Sequence, residues 1–248
     1  MNTVDYDDAA YPIRGEFADS HNRYWDRLRK PGSWFTSAER IDLAREVRAA
    51  STCAFCRARR EALSPAMVSG THTTVSALPD VVVEAVHRIT TDAARLTQSW
   101  YQGLLEDGLS EGQYIEIVGT VVAMVSIDSF AHAIGVALRP LPEAGPGEPD
   151  AYRPPRIEQG ADAWVPMVPA ENAGTPEADL WVSGRTGNVI RAMSLVPEEV
   201  RTLGDLSAAH YLPHRLVRQA GVDAGRALNR SQIEIVAGRV SALNECFY

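Results

Sequence analysis

Apolar positions recur at helical spacing through most of the first 138 residues. In residues 16–30, EFADSHNRYWDRLRK, the side chains of Phe17, Tyr24, Trp25 and Leu28 follow that spacing, and Pro31-Gly32 ends the pattern. Residues 36–51 predict a second helix, with Thr36 or Ser37 as N-cap and Glu39 or Glu46 facing water. Residues 78–108 read as a longer helical stretch, broken near Thr91-Asp92 and closed by Gly108. Ser110 then caps a segment reaching residue 138 whose apolar positions surround the axis, the pattern of a buried helix.

The texture changes at Pro140. Nine of the fifteen prolines fall between Pro140 and Pro176, where a helix cannot persist, so an extended connector is expected at 140–176. Within it Trp164, Val165, Met167 and Val168 predict docking on a surface. Helical spacing returns over 188–212 and 230–248. The fold expected is all-α, with helical subdomains at 15–139 and 177–248 joined by this Pro-rich connector. A weak internal repeat favours two halves: IEIVGTVVAMVSIDSF at 115–130 and IEIVAGRVSALNECFY at 233–248 stay in step. Glu116 stands twelve residues before Asp128 and Glu234 twelve before Cys246, so one half carries a carboxylate where the other carries a thiol.

Composition adds limits. An apolar content of 45% with 23% charged residues is that of a globular protein. The 24 basic against 32 acidic residues give a net charge of −8, which speaks against a nucleic-acid backbone binder. The acidic start has neither the basic nor the apolar region of a signal peptide, and no membrane span is read, so a cytoplasmic protein is expected. Cys53, Cys56 and Cys246 are too few for a disulfide scaffold, leaving redox chemistry, metal binding or packing.

The motif TCAFCRARR sets Cys53 and Cys56 one helical turn apart, close enough to form and break a disulfide. At a helix start, unpaired N–H groups favour the thiolate, and Arg57, Arg59 and Arg60 act in the same direction. A pair of packed thiols, or half a zinc site awaiting a second pair, remains open. No metal ligand set or cofactor is assigned. His210 and His214 are separated by Pro213 and read as surface residues, while His87 and His132 read as satisfied core or interface residues. Glu116 and Glu234 stand in apolar helices, where a carboxylate needs a partner or a proton. Each is either part of a proton relay or half of an ion pair, with Arg239 or Arg191 as partner.

The stretch EIVAGRVSALNECFY resembles the alkylhydroperoxidase D and carboxymuconolactone decarboxylase superfamily of all-helical proteins. The peroxidase branch carries Glu-x11-Cys-x-x-Cys-x-x-x-His, of which Glu234 and Cys246 match the first two members. On that comparison the position after Tyr248 would carry the second cysteine, and a histidine would follow four residues later. A UGA codon meant for selenocysteine, a nonsense change or a shortened chain would each place the end there. TCAFC is similar as a divergent copy: Arg60 stands at the histidine position and Ile41 at that of the glutamate, with Asp42 and Glu46 near. The middle copy keeps Glu116 without a cysteine.

The resemblance implies thiol-dependent reduction of a peroxide substrate, with a carboxylate proton relay and a dithiol reductant of thioredoxin-like or lipoyl type. Its candidate catalytic residues here are Cys53, Cys56, Cys246, Glu234 and Glu116. It also implies a homo-oligomer, trimer or hexamer, with the apolar helix at 115–137 as interface surface. Two alternatives stand beside it: a cofactor-free decarboxylase-like lyase of the same superfamily, and a degenerate, non-catalytic redox-responsive scaffold.

Overall fold

The computed structural model describes residues 3–248 apart from 160–162, 173, 182–185, 218, 220, 223–224, 245 and 247–248; at 214 and 215 it describes the backbone alone. Among these residues the chain is mostly helical, in line with the all-α expectation. Helices α1 (Gly15–Leu28), α2 (Ser37–Ala50), α3 (Ala54–Glu61), α4 (Asp80–Asp92), α5 (Gln98–Glu106) and α6 (Glu111–Ala133) come first. The two-residue strands β1 (Glu158–Gln159) and β2 (Pro166–Met167) pair antiparallel, and α7 (Asn188–Arg191), α8 (Pro197–His210), α9 (His214–Val217) and α10 (Arg230–Leu243) follow.

Local chemistry sets the boundaries. Thr36 caps α2 and Ser110 caps α6, each through a capping box with Glu39 or Gln113 that satisfies otherwise unpaired N–H groups. The break expected near Thr91-Asp92 is a single 3-10 turn, after which Thr97 caps α5. Gly108, at φ +98°, reverses the chain after α5, with Gly108 N–H donating to Leu105 O and Leu109 N–H to Leu104 O. Gly135, at φ +74°, does the same after α6, which therefore stops four residues short of Ala137.

α6 is the central helix, packed by α2, α4 and α8. By length and composition it could cross a membrane, yet its apolar surface is largely consumed inside the chain. α8 packs on both α1 and α6, and one hydrophobic core runs from Val4 to Leu206, across the boundary expected at 140–176. The connector lies against this core. Pro140 O accepts from Trp25 Nε1 at 2.8 Å, Ala151 N–H donates to Ser33 O at 2.8 Å, and Val165, Met167 and Val168 are buried. By contrast α10 buries none of its residues and leaves Ile235, Val236, Val240 and Leu243 exposed.

Candidate functional site

Cys53 is the N-cap of α3, at the helix end whose first N–H groups have no intrahelical partner, and Cys56 follows one turn on. Both thiols are buried, 1% and 3% exposed. They meet two imidazoles that lie far off in sequence. His72 comes from the segment between α3 and α4, and His87 from the core face of α4, where it is wholly buried. Cys56 Sγ lies 3.2 Å from His87 Nδ1 and 3.4 Å from His72 Nδ1, and Cys53 Sγ lies 3.7 Å from His72 Nδ1. The four ligand-type atoms fall within 4.8 Å of one another, so these residues could hold a metal ion.

Each imidazole is backed by a carboxylate on its far nitrogen. His87 Nε2 meets Glu46 Oε2 at 2.9 Å, and His72 Nε2 meets Glu84 Oε2 at 2.7 Å. Glu46, from the last turns of α2, also accepts from Thr74 Oγ1, Val75 N–H and Ser76 Oγ, which ties the 71–76 segment over the site. Glu84 is clasped by Arg59 at 2.7 Å and by Trp100 Nε1 at 3.0 Å, and the Arg59 guanidinium lies over the Phe55 ring.

These contacts separate charge. Burial pushes Glu46 up, but the Ser76 and Thr74 hydroxyls, His87 and the Val75 N–H outweigh it and hold the carboxyl down at about 2. Burial likewise opposes charge on Glu84, which His72, Trp100 and Arg59 nevertheless hold at about 2. His72 is lowered by burial but raised more by Cys56, Glu84 and Cys53, reaching about 10. His87 moves up for the same kind of reason. Cys53, raised by burial, is brought down to about 5 by the N–H groups of Cys56 and Thr73 and by His72, and Cys56 is lowered by His72 and His87 against its burial. The shifts run in one sense, each sulfur toward thiolate and each imidazole toward imidazolium.

The other residues expected to act lie elsewhere. Glu116 is buried, but its neighbours are Arg40, whose Nε is 3.3 Å away, and the Trp34 N–H, which donates at 2.8 Å. The ion-pair alternative thus describes Glu116, with Arg40 in place of Arg239 or Arg191. Glu234 is not buried; it accepts from Tyr211 Oη at 2.6 Å and pairs with Arg230. Cys246 is exposed beyond the end of α10. Reading the sequence missed His72 and Glu84, and it turned Glu46 toward water, whereas the packing of α4 on α2 buries it against His87. It set His87 aside as a satisfied core residue, although a histidine among Val82, Val83 and Val86 on an otherwise apolar face was the available signal. Comparison of the chain with protein-family models, with curated proteins and with solved structures finds no match in any of the three.

Proposed function

We propose that the chain is a thiol-dependent reductase of small hydroperoxides, in which Cys56 attacks and Cys53 resolves. The observation that carries this reading is the unbroken line Glu46–His87–Cys56, at 2.9 and 3.2 Å, which joins a carboxylate to a thiol through one imidazole. A thiol peroxidase needs a thiolate nucleophile and a proton source beside it. Here each sulfur has an imidazole nitrogen in contact, and each imidazole a carboxylate behind it.

The stoichiometry of the reaction matches that of the site. Cys56 thiolate attacks the terminal peroxide oxygen; the O–O bond breaks, and the alkoxide leaves with a proton from one imidazolium as an alcohol. Cys56 is now a sulfenic acid. Cys53 thiolate then attacks the Cys56 sulfur, the S–O bond breaks, and hydroxide leaves as water with a proton from the other imidazolium. Two thiolates and two imidazolium protons are consumed for one disulfide, one alcohol and one water. A dithiol donor restores the pair by exchange. Both sulfurs lie beneath the segment that Glu46 holds, which limits the substrate to hydrogen peroxide and small alkyl hydroperoxides.

The test is rapid mixing of the reduced protein with hydrogen peroxide in the presence of a dithiol. Cys56→Ser should abolish turnover, and Cys53→Ser should halt the reaction after one oxidation, at a sulfenic acid that a dimedone-type reagent captures. Turnover that survives Cys56→Ser refutes the assignment. A lyase activity retained by the double serine variant would favour acid–base chemistry instead.

A further inference from the structure

We infer that Cys53, Cys56, His72 and His87 form a binding site for a Zn2+ ion, which fixes the segment after α3 and holds both thiols out of reaction while bound. Three observations carry this, none of them dependent on peroxide chemistry.

The first is the shape of the cluster. A tetrahedral zinc with Zn–S of about 2.3 Å and Zn–N of about 2.0 Å has S···N edges of roughly 3.5 Å. Three of the four S···N separations here are 3.2, 3.4 and 3.7 Å, and the fourth is within 4.8 Å. His72 Nδ1 faces two sulfurs and Cys56 Sγ faces two nitrogens, and all four ligand-type atoms lie within 4.8 Å of one another, close enough for one ion to reach them all. Pairwise hydrogen bonds, each with one proton on one line, have no need of that convergence. The donor set of two thiolates and two imidazoles suits zinc and excludes the oxygen-seeking calcium and magnesium.

The second is what stands behind the rings. Both imidazoles turn Nδ1 inward and offer Nε2 to a carboxylate, Glu46 for His87 and Glu84 for His72. A carboxylate on the outer nitrogen fixes the tautomer and orientation that a metal-binding histidine requires.

The third is a shortage of apolar burial. From residue 54 to residue 77 Cys56 is the one buried side chain, and Leu63, Met67 and Val75 are largely exposed. α3 has 8 residues, short for a helix without a core face. A segment with so little apolar burial is one that a metal stabilises, because binding free energy then adds directly to folding.

While the ion is bound both sulfurs are ligands, so the peroxide reaction, whose assignment rests on the preceding proposal, belongs to the metal-free chain. The experiment is metal analysis of the reduced full-length chain after incubation with zinc and gel filtration, together with X-ray absorption at the zinc edge. The expected result is one zinc per chain bound by two sulfur and two nitrogen atoms, and a thiolate-to-cobalt charge-transfer band when cobalt replaces it. Cys53→Ser keeps a good N-cap for α3, and His72→Ala lies on the exposed segment; both should lose stoichiometric metal, while Cys246→Ser keeps it. Wild-type protein that emerges without metal overturns the inference, as does full zinc content in both variants or a shell without sulfur. A chain that binds no zinc but consumes peroxide refutes the metal site alone. A chain that binds zinc but ignores peroxide after chelation refutes the peroxide reading alone.

Discussion

Two groups of buried ionisable side chains each take one member from α2, Glu46 and Arg40, and they are built on opposite plans. In one, Cys53, Cys56, His72 and His87 turn their reactive atoms toward a shared point, and Glu46 and Glu84 stand behind. In the other, Arg40 sits between Glu116 at 3.3 Å and Glu199 at 3.7 Å, and Arg27 approaches Glu199 at 3.5 Å. Its charges face one another and leave no common focus. The first arrangement gathers thiols and imidazoles in one place, which the proposed chemistry would use; the second neutralises charges that helix packing has trapped, which is architecture. Burial alone does not tell them apart, since Glu46 and Glu116 are both fully buried. What distinguishes them is where the carboxylate points: Glu46 at an imidazole that in turn meets a thiol, Glu116 at a guanidinium that in turn meets a second carboxylate, Glu199.

The largest effect expected is therefore on stability, at the second group. Arg40→Met leaves two carboxylates in the core without their shared cation, a loss of about 3–5 kcal/mol. Chemical denaturation should show the midpoint falling steeply, while folded protein keeps its thiol reactivity toward an alkylating reagent. Loss of that reactivity in protein still folded would mean that the two groups are one functional unit and not two of opposite plan.

Much of the frame could be read from the sequence because its causes are local. The Thr36 and Ser110 caps, the turn at Gly108 and the break after Asp92 depend on residues within one or two turns. The Cys-x-x-Cys pair was legible for the same reason. Its partners were not: His72 and His87 lie 16 and 31 residues beyond Cys56, and only the packing of α4 on α2 and α3 brings His87 to the thiol. The likeness between residues 115–130 and 233–248 misled in one respect. The same IEIV spacing is enclosed by three helices at α6 and left exposed at α10, because periodicity records which face is apolar and not whether another element covers it.

A smaller effect, again in the second group, should appear as pH dependence. Burial, helped by Glu199 and resisted by Arg40, the Trp34 N–H and Arg27, raises Glu116 to about 7 from its ordinary 4.5. A carboxyl raised on folding binds its proton more tightly in the native state, so its contribution to stability is complete below about 4.5. That contribution is lost as pH climbs toward about 7 and is constant above. Glu116→Gln should flatten this slope in denaturation curves recorded from pH 4.5 to 8. A slope of the opposite sign in the parent chain would show that the pairing with Arg40 outweighs desolvation.

Gly32 offers a steric test of the same pair. A Cβ added there would lie 1.7 Å from Glu116 Oε1, and the carboxylate is held by Arg40 and Trp34 and cannot simply swing aside. Gly32→Ala should cost about 1–3 kcal/mol. Combined with Glu116→Ala, which removes the obstructing oxygen, the glycine change should cost much less than it does alone. Equal costs in both backgrounds would place the strain in the backbone at Gly32.

The mildest change returns to the first group and asks whether its carboxylates are electrostatic or merely structural. Glu84 receives His72, Arg59 and Trp100 together, so a case can be made that it only fastens α3 and α5 to α4. Glutamine at this position can still accept a hydrogen bond from the imidazole and fills the same space, but it no longer supports positive charge on the ring. If the carboxylate acts through His72, Glu84→Gln should slow oxidation of the thiol pair by about tenfold with little change in melting temperature. An unchanged rate with a lowered melting temperature would reduce Glu84 to a fastening. The two buried groups would then differ in a single relay, Glu46–His87–Cys56, and no longer in a symmetrical pair of them.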